Sequence, residues 1–387
     1  MLKIGFDAKR LFFNTSGLGS YARNLLNGLS HYHPDNYYHL YVPKSKITVG
    51  TAAFTPANNM QLHTPPSARA ELLGGALWRT FTMGNQLKED RIQVYHGLSN
   101  ELPANIRISR AKSVVTIHDL LFLKYPQYYP IWDRFVYKQK CKHACRVADR
   151  IVAVSEQTKN ELLEHLHAEN TKIIVIYPCC DPLFYAYDDA LHLQHGFFVT
   201  KEYDLPFDIP NDYVLFLGNV EERKNLMHLV KAIGALRNRL EVHLVVAGKG
   251  KATYRKLLDE EIARLGVQKQ VTFLDHVPQQ YLPALYRCAK AFIYPSSGEG
   301  WGMPIVEALF SRIPVIAGDC PAQREAGGSH TQYVSPNDTE AFAHTIEQVL
   351  TVGSLRMDML INGWQHAQQF RQEELCGQMF GVYKGLV

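Results

Sequence analysis

The chain has 387 residues, of which 46% are hydrophobic, and its formal net charge is +4 at pH 7. This length is enough for two domains of ordinary size, and the weak positive charge allows an anionic ligand or an anionic membrane surface without favouring nucleic acid. Seven irregularly spaced cysteines argue against a disulfide framework, and MLKIGFDAKR contains no apolar signal core, so we expect a cytoplasmic protein, peripheral at most on the inner face of the plasma membrane.

Short apolar runs alternate with amphipathic stretches along the chain. In the first half the runs include LKIGFDA, IQVYHGL, SVVTIHDL and RIVAVS, and in the second half YVLFLG, VHLVVAG, VTFLD and AFIYPS. This alternation predicts βα units around parallel sheets, and therefore an α/β protein with two doubly wound domains. We place the first domain at residues 1–190, a polar, proline-containing linker at 191–212, and the second domain at 213–365.

Two segments of the first domain carry polar residues or glycines where a strand ends. In open α/β sheets, ligands bind beyond the carboxyl ends of the strands. Gly17 and Gly19 precede a predicted helix, as in a phosphate-binding loop, although Ala22 stands where a dinucleotide fingerprint has its third glycine. His118 and Asp119 end the apolar run VVTIHDL, where a ligand contact and a cap for the following turn are both open readings.

The segment KCKHACR brings Cys141, His143 and Cys145 close together in the sequence. Cysteines four residues apart share one helix face, but a zinc site needs further ligands that this segment lacks. We interpret the segment as a basic, solvated helix face that includes Lys138 and Lys142.

The second domain begins with FLGNVEERKNL, which places Arg223 and Lys224 after its first strand. A charged cluster of this kind is either a solvated surface or a phosphate site, where arginine supplies a fork of donors and lysine a point charge. The next strand ends in VVAGKGK, so Gly248 exposes bare backbone at the same edge of the sheet.

The stretch GEGWGMPIVEAL, residues 298–309, carries two glutamates around a glycine-rich turn. Each glycine would cost a helix interior about 1 kcal/mol relative to alanine, so we expect the turn to precede the helix, with Pro304 at its first position. Glu299 then lies on the loop and Glu307 lies one turn into the helix. Unpaired N–H groups at such a helix start favour an anion or a polyhydroxylated ligand.

Taken together, FLGNVEERKNL, VVAGKGK and SSGEGWGMPIVEAL resemble the donor-binding half of the retaining glycosyltransferases of the GT-B fold, family 4. The GLG loop and the TIHDL segment are also similar to that family. The resemblance implies two Rossmann-like domains facing a cleft, with the last helix, 366–387, crossing back to the first domain. It also implies a nucleotide-sugar donor on the second domain, and an acceptor met by the first domain at HGLSNELP and at the aromatic run 125–132.

The resemblance assigns roles to individual side chains. Glu299 and His118 would contact the transferred sugar, Arg223 and Lys224 the diphosphate, and Glu307 the ribose hydroxyls. The remaining donor contacts would come from Gly17, Gly19, Gly218, Gly248, Gly300, Trp301, Gly302 and Met303. The family often has a basic residue where Asn219 stands, which implies one cation fewer at the diphosphate.

The donor and the reaction are less closely defined. RKNL and HDLLFLKYPQYYP look most like bacterial mannosyltransferases that use GDP-mannose, acting on a saccharide or lipid-linked saccharide in cell-surface polysaccharide synthesis, with UDP-sugars left open. The sequence has no Asp-x-Asp pair, so we expect no metal. A nucleotide-sugar 2-epimerase of the same architecture is one alternative. A nicotinamide-dependent oxidoreductase is another, although the first domain supplies its glycine fingerprint poorly.

Overall fold

The computed structural model describes residues 1–43, 54–65, 75–186 and 205–387. They form two compact units: unit 1 comprises Met1–Cys179 and Phe370–Val387, and unit 2 comprises Cys180–Gln369. Residues 191–204 of the predicted linker lie outside the described residues.

The described strands of unit 1 form one parallel sheet in the order β3-β2-β1-β4-β5-β6-β7. The strands are β1 (Lys3–Asp7), β2 (Tyr37–Tyr41), β3 (Met60–His63), β4 (Val94–Gly97), β5 (Lys112–Ile117), β6 (Arg150–Ala153) and β7 (Ile173–Val175). The sheet grows from β1 through β2 to β3 on one side and from β4 to β7 on the other. The order of the strands therefore reverses between β1 and β4, which is where doubly wound folds bind ligands.

Helices cover this sheet, since its central strands β1, β4, β5 and β6 are almost entirely buried. The described helices are Lys9–Phe13, Gly17–Tyr32, Gly75–Leu77, Met83–Glu89, Leu121–Lys124, Ile131–Val147, Glu156–Leu166 and Gln372–Lys384, with a π-helical turn at Trp78–Thr82. The last helix packs on Gly17–Tyr32, where Gly28 leaves no room for a Cβ beside Cys376 and Gln372.

The described strands of unit 2 form a second parallel sheet in the order β10-β9-β8-β11-β12-β13. They are β8 (Val214–Leu217), β9 (Leu244–Ala247), β10 (Val271–Leu274), β11 (Ala291–Tyr294), β12 (Val315–Gly318) and β13 (Gln332–Val334). The helices are Leu226–Leu236, Ala252–Leu265, Leu282–Cys288, Met303–Phe310, Pro321–Gly327, Thr339–Thr351 and Gly353–Ala367. Here the switch point lies between β8 and β11.

The predicted α/β fold with two doubly wound parallel sheets is confirmed. Cys141 and Cys145 are buried in the core of unit 1, while Lys138 and Lys142 on the same helix are exposed. The described residues contain no group of three or more histidine, cysteine or acidic side chains that could hold a metal ion. None of the helices in the described ranges is long and apolar enough to cross a membrane.

Candidate active site

Arg223 and Lys224 lie in a 3-10 turn, Glu222–Lys224, that follows β8. Asn225 comes next with φ 61°, in the left-handed region that asparagine tolerates, and it leads the chain into Leu226–Leu236. The Ser297 N–H donates to the Arg223 carbonyl oxygen at 3.0 Å. The turn after β8 is therefore held against the loop that follows β11, at the switch point of unit 2.

Glu299 joins the two cations in one buried cluster. Lys224 Nζ donates to Glu299 Oε1 at 2.5 Å, and Arg223 Nη1 lies 3.1 Å from the same oxygen. Ser296 Oγ also donates to it at 2.5 Å. Lys224 and Glu299 are only 7% and 8% exposed. Arg223 and Lys224, which the sequence singled out after one strand, thus contact an oxygen of Glu299, which follows another.

Tyr294, the last residue of β11, completes the cluster. Lys224 Nζ donates to the Tyr294 hydroxyl at 2.5 Å and lies 4.8 Å from the ring centroid. Burial raises the pKa of Tyr294 well above its ordinary value, and the negative charge of Glu299 raises it further, so the hydroxyl stays protonated. Sequence reasoning missed Tyr294 and Ser296, and the available signal was their position at the end of the apolar run AFIYPS.

The charges in this cluster act on one another's pKa values. Burial favours the neutral acid of Glu299, but Lys224 and Arg223 outweigh it and hold its pKa below the ordinary value. Burial lowers the pKa of Lys224, and Glu299 opposes that effect. Arg223 also pairs with Glu221 at 2.6 Å. Two carboxylates therefore balance the two cations, and a diphosphate bound here would compete with Glu299 for them.

The glycine-rich turn leads into Met303–Phe310, for which Gly302 is the N-cap residue, so Pro304 occupies the second helical position instead of the predicted first. Gly300 and Trp301 are buried within the turn. Glu307 lies one turn into the helix, as predicted from its spacing. Its Oε2 accepts a hydrogen bond from the Tyr286 hydroxyl at 3.0 Å. Burial raises the pKa of Glu307 to about 8, with the Tyr286 hydrogen bond acting in the opposite direction.

Gly218 and Gly248 follow β8 and β9 with φ values of 150° and 144°, a region that side chains rarely adopt. A Cβ on Gly248 would overlap the Gly218 carbonyl oxygen, so Gly248 is needed where the two loops touch. A Cβ on Gly218 would make only ordinary contacts. The close contact between the two loops thus explains why position 248 is a glycine, whereas an added Cβ at Gly218 would not be crowded.

Gly17 and Gly19 lie in the first turn of Gly17–Tyr32 instead of in a loop before it, because the short helix Lys9–Phe13 takes up the chain after β1. Asn14 Oδ1 accepts from the N–H groups of Ser16 and Gly19, at 2.9 and 3.1 Å. A Cβ on Gly19 would overlap the Asn14 carbonyl oxygen, whereas a Cβ on Gly17 would have no atom of another described residue within 4 Å apart from its chain neighbours and its own helix backbone.

His118 follows β5 and is 8% exposed. Its Nε2 lies 2.8 Å from the Leu98 carbonyl oxygen, and because a carbonyl can only accept, Nε2 carries the proton. Burial lowers the pKa of His118 to about 4, so the ring is neutral and Nδ1 is a hydrogen-bond acceptor. The turn is capped by Asp119, whose Oδ1 accepts from the Leu121 N–H at 3.1 Å.

Comparison with known proteins identifies the family. The model for Glycosyltransferase Family 4 matches residues 15–183, and that for glycosyl transferases group 1 matches residues 203–366. O-antigen chain mannosyltransferase B of Escherichia coli is 30% identical over 305 residues, which cover 77% of this chain and 76% of that protein. The chain belongs to the family 4 glycosyltransferases.

Other glycosyltransferases extend the likeness. O-antigen chain mannosyltransferase RfbU of Salmonella typhimurium is 27% identical over 240 residues, 61% of this chain and 60% of that one. Sucrose-phosphate synthase from Thermosynechococcus elongatus superposes with a TM-score of 0.76 at 18% identity, over 100% of this chain and 99% of that one. Anabaena HepE in complex with UDP-glucose gives a TM-score of 0.71 at 16% identity over the full length of both chains. The chain is thus a GT-B hexosyltransferase, and the roles of its individual site residues remain predictions.

Proposed function

We propose that this glycosyltransferase moves a mannosyl group from GDP-mannose to a saccharide or lipid-linked saccharide acceptor in cell-surface polysaccharide synthesis, with retention of the anomeric configuration. The observation that carries the proposal is the convergence of Arg223, Lys224 and Glu299 on one oxygen atom at the β8/β11 switch point. The likeness to two O-antigen mannosyltransferases supports mannose as the transferred sugar.

The cluster suits a reaction in which a nucleoside diphosphate leaves. Negative charge develops on the leaving phosphate, and fixed cations in a buried site stabilise that charge more strongly than water does. In this proposal Arg223 and Lys224 meet the diphosphate, and the carboxylate of Glu299 faces the sugar, which becomes positively charged in the transition state. Retention would follow from attack on the face that the phosphate leaves, with that phosphate accepting the acceptor's proton.

A panel of sugar nucleotides tests the donor. GDP-mannose at 100 times its dissociation constant should stabilise the protein by about 2.7 kcal/mol. The second donor class is the UDP-sugars, since HepE, which shares the fold, was solved with UDP-glucose. Stabilisation and transfer with a UDP-sugar but not with GDP-mannose would overturn the donor assignment. Sugar interconversion without any acceptor would instead indicate a 2-epimerase. The NMR coupling constant of the anomeric proton in the product tests whether the configuration is retained.

We also propose that the enzyme works at an anionic membrane surface, with the helix Ile131–Val147 as the contact. The outer face of its first turns is apolar: Ile131 is 72%, Trp132 78% and Phe135 58% exposed. The helix carries five basic residues and one acidic residue, so its net charge of +4 equals that of the whole chain. Exposed aromatics beside clustered cations are the composition of a helix that lies in a lipid headgroup region.

Vesicle flotation tests this surface. The parent should float with phosphatidylglycerol vesicles, less so as salt is raised, and should not float with phosphatidylcholine alone. The double variant Trp132→Ser with Phe135→Ser should lose binding. Leu257→Ser, which changes a residue 50% exposed on unit 2, is the matched control. Equal flotation of the double variant and the parent would rule out this helix as the contact.

A further inference from the structure

A buried chain of hydrogen bonds crosses the core of unit 1. It starts in the last helix at Tyr383, whose hydroxyl lies 2.6 Å from His96 Nδ1. His96 Nε2 lies 2.8 Å from Thr116 Oγ1, and that oxygen lies 2.9 Å from the hydroxyl of Tyr21. All four residues are buried. The chain of bonds therefore joins the last helix, through β4 and β5, to the helix Gly17–Tyr32.

The protons of this chain are arranged together. Burial lowers the pKa of His96 to about 3, and nearby His118 acts in the same direction, so the His96 ring is neutral. A neutral imidazole donates from one nitrogen and accepts at the other, so the hydrogens on its two sides point the same way along the chain. Burial raises the pKa values of Tyr21 and Tyr383, so both hydroxyls keep their protons.

Stability alone gives little reason for this chain. Replacing both partners of a buried hydrogen bond by apolar groups of the same shape is nearly neutral, whereas losing one partner leaves the other unpaired at a cost. A complete buried network does, however, hold its members in one arrangement. We therefore looked for what the two ends of the chain hold in place.

One end of the chain leads to His118. The ring of Tyr21 lies 4.7 Å from the ring of His118, measured between centroids, and the two planes are perpendicular at 88°. This edge-to-face geometry is one that aromatic pairs prefer. The hydroxyl of Tyr21 is held at Thr116, which precedes His118 by two residues in the chain. The chain of bonds thus fixes the orientation of the ring that packs on His118.

The His118 ring needs such a contact to keep its orientation. Its Nε2–H donates to the Leu98 carbonyl oxygen at 2.8 Å, and its backbone N–H donates to Asn100 Oδ1 at 2.8 Å. A single hydrogen bond fixes one atom of the ring and leaves its plane free to turn about that atom. The perpendicular ring of Tyr21 restricts this rotation. The two contacts together set the direction of Nδ1, the acceptor nitrogen.

We propose that Tyr383, His96, Thr116 and Tyr21 are positioning residues that hold the plane of the His118 ring. The last helix would then contribute to the active site through Tyr383, without contacting substrate. The inference rests on the proposed transferase function, and on the contact between His118 and the transferred sugar that the family resemblance implies.

Steady-state kinetics on hydroxyl deletions test the proposal. Thr116→Val and Tyr383→Phe keep the shape of the side chain and should lower kcat at least fivefold with the KM for GDP-mannose within twofold, because a misoriented group costs turnover. Thr116→Ser restores the hydroxyl and should restore kcat. The control is Tyr38→Phe, which removes another buried hydroxyl of unit 1, one that donates to the Leu29 and His33 carbonyl oxygens.

Imidazole ¹⁵N NMR of the free enzyme separates this inference from the proposed function. In the parent, His118 should show a protonated Nε2 and an unprotonated Nδ1. In Thr116→Val and Tyr383→Phe the two ¹⁵N shifts should move towards each other, because a ring that turns loses the Leu98 hydrogen bond and exchanges tautomers. Thr116→Ser and Tyr38→Phe should keep the parent shifts.

The outcomes are distinct. His118 shifts that stay at the parent values in Thr116→Val and Tyr383→Phe overturn the positioning role. A loss of kcat in Tyr38→Phe as large as in Tyr383→Phe also overturns it, because any buried hydroxyl would then have the same effect. Altered shifts in an enzyme that transfers no mannose would leave the positioning chain intact and overturn the proposed function alone.

Discussion

Lys224 Nζ and Glu299 Oε1 lie 2.5 Å apart, although 75 residues separate them in the chain. Both residues are more than nine-tenths buried, and Arg223 shares the same carboxylate oxygen. Glu299 thus already supplies negative charge to the two cations that we propose bind the leaving diphosphate. Glu221, which pairs with Arg223, is the second carboxylate of the proposed site, so the site is neutral before the donor binds, and we expect donor binding to redistribute these contacts.

Lys224→Ala should lower turnover by roughly one to three orders of magnitude, because one of two groups that stabilise the developing charge is lost. Arg223→Ala should have an effect of the same order. Lys256→Ala, which removes a cation 79% exposed on unit 2, serves as the control. Steady-state kinetics on variants that unfold cooperatively provide the measurement, and a fully active Lys224→Ala would remove Lys224 from the phosphate site.

Glu299→Gln separates binding from catalysis. The amide no longer competes with a diphosphate for Lys224 and Arg223, so GDP should bind at least as tightly as it does to the parent. Turnover should fall by more than the donor KM changes, because a carboxylate stabilises a positively charged sugar and an amide of equal shape does not. Calorimetry with GDP and steady-state kinetics decide this. Weaker GDP binding with unchanged turnover would contradict the assignment.

Donor affinity should depend on pH through Glu307. Its pKa is raised to about 8, so the side chain is mainly protonated below that pH and becomes a carboxylate above it. Ribose hydroxyls donate more strongly to a carboxylate, so the donor dissociation constant should fall as pH rises from 6 to 8, by up to about tenfold per unit. Glu307→Gln should weaken binding by about 1–3 kcal/mol and abolish this dependence. The same slope in that variant would exclude Glu307 as its source.

His118 should stay neutral throughout the working pH range. Burial lowers its pKa to about 4, whereas an unperturbed histidine titrates near 6.5. Its Cε1–H resonance, assigned by its loss in His118→Gln, should therefore not move between pH 5.5 and 8. Charging of the ring below pH 5 should remove the acceptor at Nδ1 and lower activity. A titration centred near 6.5 would show that the ring is open to solvent.

Transfer should not require a divalent metal ion, because Arg223 and Lys224 are placed to neutralise the diphosphate. Initial rates with GDP-mannose should be the same within twofold with and without EDTA. Activity that EDTA removes and that magnesium or manganese restores would show that a metal ion supplies charge that we assign to these two side chains.

Local sequence patterns were sufficient for the fold class and for part of the site. Apolar runs reflect burial on both faces of a parallel strand, so their alternation with amphipathic stretches predicted both sheets. Glu299 on a loop and Glu307 one turn into a helix follow from the spacing of glycine and proline alone. The positions of Gly17 and Gly19 were less well predicted, because the helix Lys9–Phe13 has no strong periodic signal in five residues.

Contacts between distant parts of the chain were decided only by the tertiary structure. The pairing of β8 with β11 brings Tyr294 and Ser296 to Lys224 and Glu299. A tyrosine or a serine near the end of a strand does not by itself indicate that it hydrogen-bonds to a buried ion pair. The partner of His96 is likewise decided by the tertiary structure, because its Nδ1 lies 2.6 Å from the hydroxyl of Tyr383, 287 residues away. Hydrophobic periodicity records which side of an element is buried, whereas the polar partners of a buried side chain depend on sheet order and register.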